Sequence, residues 1–278
     1  MLFGGESAES YYDEGVTASM KGNLTLAMRH FERAIHLEHN HIAARYQLAK
    51  CYARAGNADN AVELFRQVIR AKPNQVPPRV DLAFTLIEMG KIGEAEKLFK
   101  EVLHYKGDHG RAYIGLGQCA LAAERWKEAM VLADLAIKNG GANFAALFLL
   151  GRAQRQSGIG EEAVGTFKQA DALVQKLIES TPEAPEGYYL RGVLCLSQDK
   201  ITDAMELFQS AENRANPEAF YSAYGLHFNR FDIQAQRGIC LLRLGRRPEA
   251  EALGRSILEQ TANHGVARQL VGEADRET

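Results

Sequence analysis

The sequence predicts an all-α fold, a solenoid of about seven helix–turn–helix units followed by a C-terminal capping helix. The first observation behind this prediction is an alanine followed four residues later by an aromatic and seven residues later by a small residue, as in Ala27, Phe31 and Ala34. The alanine returns at positions 61, 95, 129 and 163, a constant step of 34 residues. Such a fixed period indicates one helical hairpin per unit, repeated along the chain.

The second observation is a leucine followed by a small residue, 13 residues before each later alanine, at Leu48-Ala49, Leu82-Ala83, Leu116-Gly117 and Leu150-Gly151. The third is a glycine in the turn of four of the first five units, at positions 22, 56, 90 and 158. Glycine tolerates the left-handed backbone that ends a helix. Small residues in both helices let the backbones approach, and the aromatic fills the wedge between the tilted helices.

The composition fits a folded protein that does not bind nucleic acid. Of the 278 residues, 46% are hydrophobic and 24% are charged, which argues against disorder and against a disulfide-stapled scaffold. With 33 basic and 35 acidic residues, the chain lacks the excess of Lys and Arg that phosphate binding needs. The N-terminus does not look like a secretory signal and no apolar run is long enough to span a membrane, so we expect a cytoplasmic protein without a membrane span.

Two later units are displaced from the strict period. The alanine at 204 comes seven residues late, and we expect these residues to lengthen the helix that contains Ala170. A further excess begins near Pro217 and carries aromatics at helical spacing, which predicts a helical insertion over 217–231. We therefore predict a single domain over 1–278, with repeats starting near 8, 42, 76, 110, 144, 185 and 231 and a capping helix over 265–278.

These features resemble the tetratricopeptide repeat, in which an aromatic, a Leu-Gly pair, a further aromatic and the series Ala, Phe or Tyr, Ala and Pro stand at fixed offsets. The segment 110–141 follows that pattern with Tyr113, Leu116-Gly117, Ala129 and Ala136. The resemblance covers residues 8–264 and implies a right-handed superhelical solenoid that serves as a non-enzymatic interaction scaffold. Departures such as Gly254 at the aromatic position predict looser packing in their units.

The candidates for chemistry are weak. The four cysteines, Cys51, Cys119, Cys195 and Cys240, fall at the tenth or eleventh position of the first helix of their units, which indicates core packing rather than metal binding or disulfide formation. His36, His39 and His41 form the one metal-like group, but they lie across a helix end and a turn, which favours a solvated loop. Phosphate-binding loops and hydrolase motifs are missing from the sequence, so we expect no enzyme activity, no metal and no cofactor.

In the family that this chain resembles, the first helix of each repeat lines the concave side and contacts ligands at set positions. The resemblance therefore assigns twelve side chains to a peptide-binding groove: Tyr12, Tyr46, Lys50, Arg54, Val80, Phe84, Arg111, Ile114, Phe148, Arg152, Arg155 and Tyr189. The set is aromatic and apolar with a cationic bias. In repeats two to five, these positions contain five Lys or Arg residues and only one acidic residue, Glu88. We expect a peptide partner with apolar anchors and acidic flanks.

One kind of partner is disfavoured. Family members that hold the C-terminal tails of heat-shock chaperones use a clamp of Lys, Asn and Arg side chains, and the corresponding residues here are Tyr12, Val16, Gln47, Pro77 and Asp81. None of them matches, and Asp81 would repel a terminal carboxylate. We therefore expect no chaperone-tail docking through a carboxylate clamp.

The leading hypothesis is an adaptor that binds a peptide or a helical segment of a partner protein in its groove. The alternative is a structural repeat protein that self-assembles into dimers or filaments through the groove or through the insertion at 217–231. RNA binding is the weakest hypothesis, because the net charge is −2 and the alanine and aromatic signature is of the protein-binding type. Whether the insertion occupies the groove is left open by the sequence.

Overall fold

The computed structural model describes residues 7–261 and 264–272, and most of this part of the chain is helical. The chain divides into two compact units, Met1–Thr166 and Phe167–Thr278, which we call unit 1 and unit 2 and describe separately. The helices of unit 1 are α1 (Ala8–Met20), α2 (Leu24–Leu37), α3 (Ile42–Arg54), α4 (Ala58–Ala71), α5 (Val76–Glu88), α6 (Ile92–Tyr105), α7 (Gly110–Ala122), α8 (Trp126–Gly140), α9 (Phe144–Gln156) and the start of α10 (Gly160–Ser180).

Polar side chains at the residue before each helix explain several of these starts. The side chains of Ser7, Asn23 and Asn143 each accept a hydrogen bond from a backbone N–H in the first turn of α1, α2 and α9. Two histidines do the same, because Nδ1 of His41 and of His109 each accepts a backbone N–H at 3.2 Å. His41 is therefore a buried capping residue and not part of a solvated loop, so that interpretation of the histidine group was wrong for this residue.

The predicted packing of alanines against aromatics is confirmed in unit 1. Ala27, Ala61 and Ala95 are fully buried, and the aromatics that follow them, Phe31, Phe65 and Phe99, are buried to the same extent. The turn glycines at 22, 56, 90 and 158 adopt the left-handed backbone, with φ between 73° and 81°. The helix–turn–helix units read from the sequence are therefore present, while their exact number stays a prediction.

Within unit 1 the odd-numbered helices lie closer together than the even-numbered ones. Helix α1 contacts α3, α3 contacts α5, α5 contacts α7, and α7 contacts α9. In the described part of the unit, no two even-numbered helices contact each other to a comparable degree. A stack whose first helices approach and whose second helices diverge is curved, with the first helices on the inner side.

Unit 2 begins inside α10, whose length of 21 residues confirms the predicted extension of this helix. Its other elements are α11 (Pro185–Leu196), α12 (Ile201–Arg214), β1 (Tyr221–Ala223), β2 (Leu226–Phe228), α13 (Arg230–Arg243), α14 (Arg247–Gln260) and α15 (Gly265–Leu270). The core of this unit contains Phe208, Phe228 and Ile233, all nearly inaccessible to solvent.

The helical insertion predicted over 217–231 was wrong, because this segment contains an antiparallel β-hairpin. Tyr221 pairs with Phe228 and Ala223 pairs with Leu226, which leaves a two-residue turn. Both turn residues, Tyr224 and Gly225, have positive φ, at 49° and 83°. A turn of this kind matches the twist of two paired strands. Two successive residues with positive φ cannot lie in a right-handed α-helix, so the segment forms a hairpin although its aromatics are spaced as in a helix.

The expectation of loose packing at Gly254 was also wrong. A Cβ at this position would lie 2.9 Å from Cβ of Leu270 and 3.0 Å from the carbonyl oxygen of Ala267. Helix α15 therefore occupies the space that an aromatic would otherwise fill. The predicted cap at 265–278 is described as far as residue 272, and the rest of it lies outside the described residues.

Candidate functional site

The candidate site is the inner face of unit 1, which we define as the accessible residues among those assigned to the groove, together with Asp81. Nine of the twelve residues assigned to the groove belong to it, and Asp81 joins them on α5. The members are Tyr12, Tyr46, Lys50, Arg54, Asp81, Phe84, Arg111, Phe148, Arg152 and Arg155. They come from five consecutive hairpins, so the face follows the stack rather than enclosing a cavity.

Asp81 joins three neighbouring helices of this face through its carboxylate. The Tyr46 hydroxyl of α3 donates a hydrogen bond to Oδ2 at 2.6 Å, and Nη2 of Arg111 on α7 donates to Oδ1 at 3.1 Å. The Asp81 side chain is only 15% exposed, whereas that of Arg111 is 55% exposed. Burial and the adjacent Asp81 raise the pKa of the Tyr46 hydroxyl well above its usual range, so this hydroxyl remains a donor.

Three cations of the inner face each lie over an aromatic ring. Nζ of Lys50 is 5.6 Å from the centre of the Tyr46 ring, and the guanidinium of Arg111 is 5.4 Å from the centre of the Phe84 ring. The guanidinium of Arg152 is 5.7 Å from the ring of Phe148, four residues earlier on α9. The pairs of Lys50 with Tyr46 and of Arg152 with Phe148 each present an apolar surface with a positive charge at its edge, which matches an apolar side chain next to a carboxylate. The charge of Arg111 beside Phe84 is already paired with Asp81.

The remaining members extend this surface at both ends. The Tyr12 ring stacks on His41 with centres 5.2 Å apart, and Nη1 of Arg54 donates a hydrogen bond to Oγ of Ser19 at 3.3 Å. Arg155 lies one turn after Arg152 on α9. Burial lowers the pKa of the Arg54 guanidinium, which still remains charged near neutral pH because the usual value is so high.

Three residues assigned to the groove are not accessible, and these assignments were wrong. Val80 has no exposed surface and Ile114 only 6%, because both side chains point into the packing between helices of unit 1. In unit 2, Tyr189 is 8% exposed, since the Phe228 ring of the β-hairpin stacks on it with centres 3.9 Å apart. The β-hairpin thus covers Tyr189 on α11.

The structure also gives Asp81 a role that sequence reasoning missed. The sequence marked it only as a group that would repel a carboxylate, yet its own carboxylate holds Arg111 and the Tyr46 hydroxyl. A signal was available, since Tyr46 and Arg111 lie 35 residues before and 30 residues after Asp81, close to one repeat in each direction. Residues one period apart face each other on neighbouring first helices.

The four cysteines lie outside the inner face and are free thiols. Cys51, Cys119 and Cys240 are buried free thiols, Cys195 is half-buried, and burial raises the pKa of the Cys119 and Cys240 thiols to about 11. Thiols with such pKa values are poor nucleophiles near neutral pH. In the described part of the chain, no three His, Cys, Asp or Glu side chains come together in an arrangement that could hold a metal ion.

A depression of about 490 Å³ lies at the turns beside Trp126 and Ser157, and no member of the inner face lines it. It is lined by charged side chains together with the Trp126 ring.

Among the described helices, none combines the length and the apolar character needed to cross a membrane.

Comparison with known proteins identifies the repeats. Two family models, both described as tetratricopeptide repeat, match the chain, one over residues 19–78, 53–102 and 86–147 and the other over 164–220. Together they cover about two thirds of the sequence. No curated protein sequence gives a significant match.

Two solved structures illustrate the similarity of fold. A tetratricopeptide repeat protein from Parabacteroides merdae is 16% identical, with 97% of this chain and 99% of that chain covered and a TM-score of 0.57. The fragment of MamA from residue 41 to its end, from Desulfovibrio magneticus RS-1, is 19% identical, with 64% of this chain and 98% of that chain covered and a TM-score of 0.53. At these identities the likeness concerns the fold alone.

Proposed function

The chain belongs to the tetratricopeptide repeat family, whose fold is that of a protein-interaction scaffold, and on this premise we propose that it is an adaptor that binds a segment of a partner protein on the inner face of unit 1. The partner segment has apolar anchors and acidic flanks. Catalysis plays no part in this role, and the cytoplasmic location expected from the sequence stays a prediction.

The observation that carries the proposal is the row of three ring–cation pairs on the inner face. Aromatic and Arg side chains supply most of the energy in protein interfaces when they are close together and partly desolvated. The rings of Tyr46, Phe84 and Phe148 are held by packing within the stack, so little side-chain entropy is lost when a ligand contacts them. The cations beside them favour a partner of negative charge.

The proposal is tested by selecting ligands from a displayed library of random peptides on the purified chain. We expect the selected peptides to be enriched in Asp and Glu next to large apolar residues. The variant Arg152→Glu/Arg155→Glu should bind them at least tenfold more weakly, because two cations of the face become anions. Phe84→Ala should also weaken binding, but it removes packing against Phe99 as well, so the charge reversal is the cleaner test.

The matched control is Lys97→Glu/Lys138→Glu, which makes the same change of charge at exposed positions of the even-numbered helices α6 and α8. It should leave the affinities within twofold of the parent. If both double variants lose affinity for the peptides to the same extent, the loss is due to net charge, and the proposed site is contradicted. Light scattering over a dilution series provides a second check, since concentration-dependent dimers or filaments that Arg152→Glu/Arg155→Glu abolishes would favour self-assembly instead.

A further inference from the structure

We propose that Asp81 makes the centre of the inner face electrically neutral, so that the face selects a partner segment that is acidic at both ends and apolar in its middle. This inference rests on the proposed function, because it specifies the charge pattern of the ligand for that same surface. It is argued from the positions of carboxylates on the odd-numbered helices, whereas the proposed function is argued from the cations and rings.

The centre of the face is formed by α5 and α7. Here the charge of Arg111 is balanced by Asp81 at 3.1 Å. A partner carboxylate brought to Arg111 would lie beside the Asp81 carboxylate, and two like charges at such a distance repel. The accessible surface at the centre is the Phe84 ring together with the half-buried Ile87, which suits an apolar side chain.

The two helices of the face on either side of this centre, α3 and α9, each keep a positive charge, and we call them the two ends of the cationic part of the face. Lys50 lies on α3 and Arg152 lies on α9. Within the described residues, no carboxylate forms a salt bridge with Lys50 or with Arg152, whose contacts are with the rings of Tyr46 and Phe148. A partner carboxylate at either end therefore meets a cation that no carboxylate of the described segments has neutralised.

The distance between the two ends sets the length of the partner segment. Helices α3, α5, α7 and α9 are successive neighbours, so three steps separate the ends. With helix axes about 8–10 Å apart, the ends are about 24–30 Å apart. An extended chain advances about 3.3 Å per residue, so the two acidic groups of the partner are about seven to nine residues apart.

The test uses two labelled synthetic peptides of identical composition and a length that spans this distance. One has its Asp residues at both ends and Leu and Phe in the middle, and its isomer has the Asp residues in the middle and the apolar residues at the ends. Affinities are measured by fluorescence anisotropy at one fixed ionic strength. We expect the parent chain to bind the end-acidic peptide at least fivefold more tightly than the isomer.

The variant Asp81→Asn keeps a side-chain oxygen that can accept from the Tyr46 hydroxyl but loses the charge. It frees Arg111 for a ligand carboxylate, so the isomer should gain affinity and the preference should fall below twofold. Arg111→Gln has the opposite effect, because Asp81 is then left without its cation and the isomer should bind more weakly than it binds the parent. Asp134→Asn, the same substitution at an exposed position of α8, is the control and should leave the preference unchanged.

The outcomes separate this inference from the proposed function. If both peptides bind the parent with equal affinity, or if Asp81→Asn and Arg111→Gln leave the preference intact, the role of Asp81 is refuted while peptide binding by the inner face stands. If neither peptide binds the parent chain, the proposed function fails and this inference fails with it. Circular dichroism of each variant establishes that the compared chains are folded.

Discussion

Replacing Gly115 by alanine tests the helix packing that supports the inner face. Gly115 lies inside α7, and a Cβ at this position would overlap ring atoms of Phe99 at separations well under 3.0 Å. The Phe99 ring is fully buried and meets the Phe84 ring of the inner face edge-on, with centres 5.0 Å apart. The ring therefore has no free space into which it can turn.

The size of the effect follows from two opposed terms. Alanine stabilises a helix interior by about 1 kcal/mol relative to glycine, whereas an extra methyl group in a close-packed core typically costs about 1–3 kcal/mol. We place the overlap with Phe99 at the upper end of that range, so the substitution should destabilise the protein by about 2 kcal/mol. For a chain of this size, such a loss lowers the melting temperature by roughly 4–8 °C.

The matched control is Gly165→Ala in α10, where the added Cβ has no atom within 4 Å. Only the helix-propensity term acts there, so the melting temperature should rise slightly. Thermal unfolding is followed by circular dichroism at 222 nm, and melting temperatures are compared directly because repeat stacks need not unfold in one step. Partial rescue of Gly115→Ala by Phe99→Leu would identify the clash, and a Gly115→Ala chain as stable as Gly165→Ala would refute the packing argument.

Three further predictions concern capping, thiols and the hairpin. Burial lowers the pKa of His109, and its Nδ1 can cap α7 only when the imidazole is neutral. The stability that this cap contributes is therefore complete above about pH 6.5 and is lost as the pH falls through the lowered pKa. The melting temperature of His109→Asn should depend less on pH between 7.5 and 5 than that of the parent. Cys119 and Cys240, with pKa values near 11, should react with a thiol reagent at pH 8 only after denaturant is added, and rapid reaction in buffer would contradict their burial. Gly225→Ala should cost about 1 kcal/mol because φ is 83° there, and an unchanged melting temperature would contradict the assigned turn.

The repeat architecture could be predicted because each unit satisfies the same local rules. A buried alanine, a buried aromatic and a turn glycine recur at one spacing. The first residues of α1, α3 and α5, which are Ala8, Ile42 and Val76, also follow this spacing. The β-hairpin could not be predicted in this way. It depends on a Tyr-Gly turn with two positive φ values, and the adjacent aromatics also fit a helix.

The inner face could be predicted only in part, because a repeat position does not determine how deeply its side chain is buried. Val80 and Tyr46 occupy the same position in consecutive repeats, yet Val80 is fully buried while the longer Tyr46 reaches Asp81. Tyr189 occupies the same position in unit 2 and is covered by Phe228, from a segment 39 residues further along the chain. Such burial depends on neighbours that come from other repeats.

The most direct test of the account is to locate a bound peptide on the chain. The end-acidic peptide is made with a photoreactive benzophenone side chain at its centre, irradiated in complex with the protein, and the linked residues are identified by mass spectrometry. We expect crosslinks on α5 and α7 around Phe84, which an excess of unlabelled peptide removes. Crosslinks that fall mainly on even-numbered helices, or in unit 2, would contradict it.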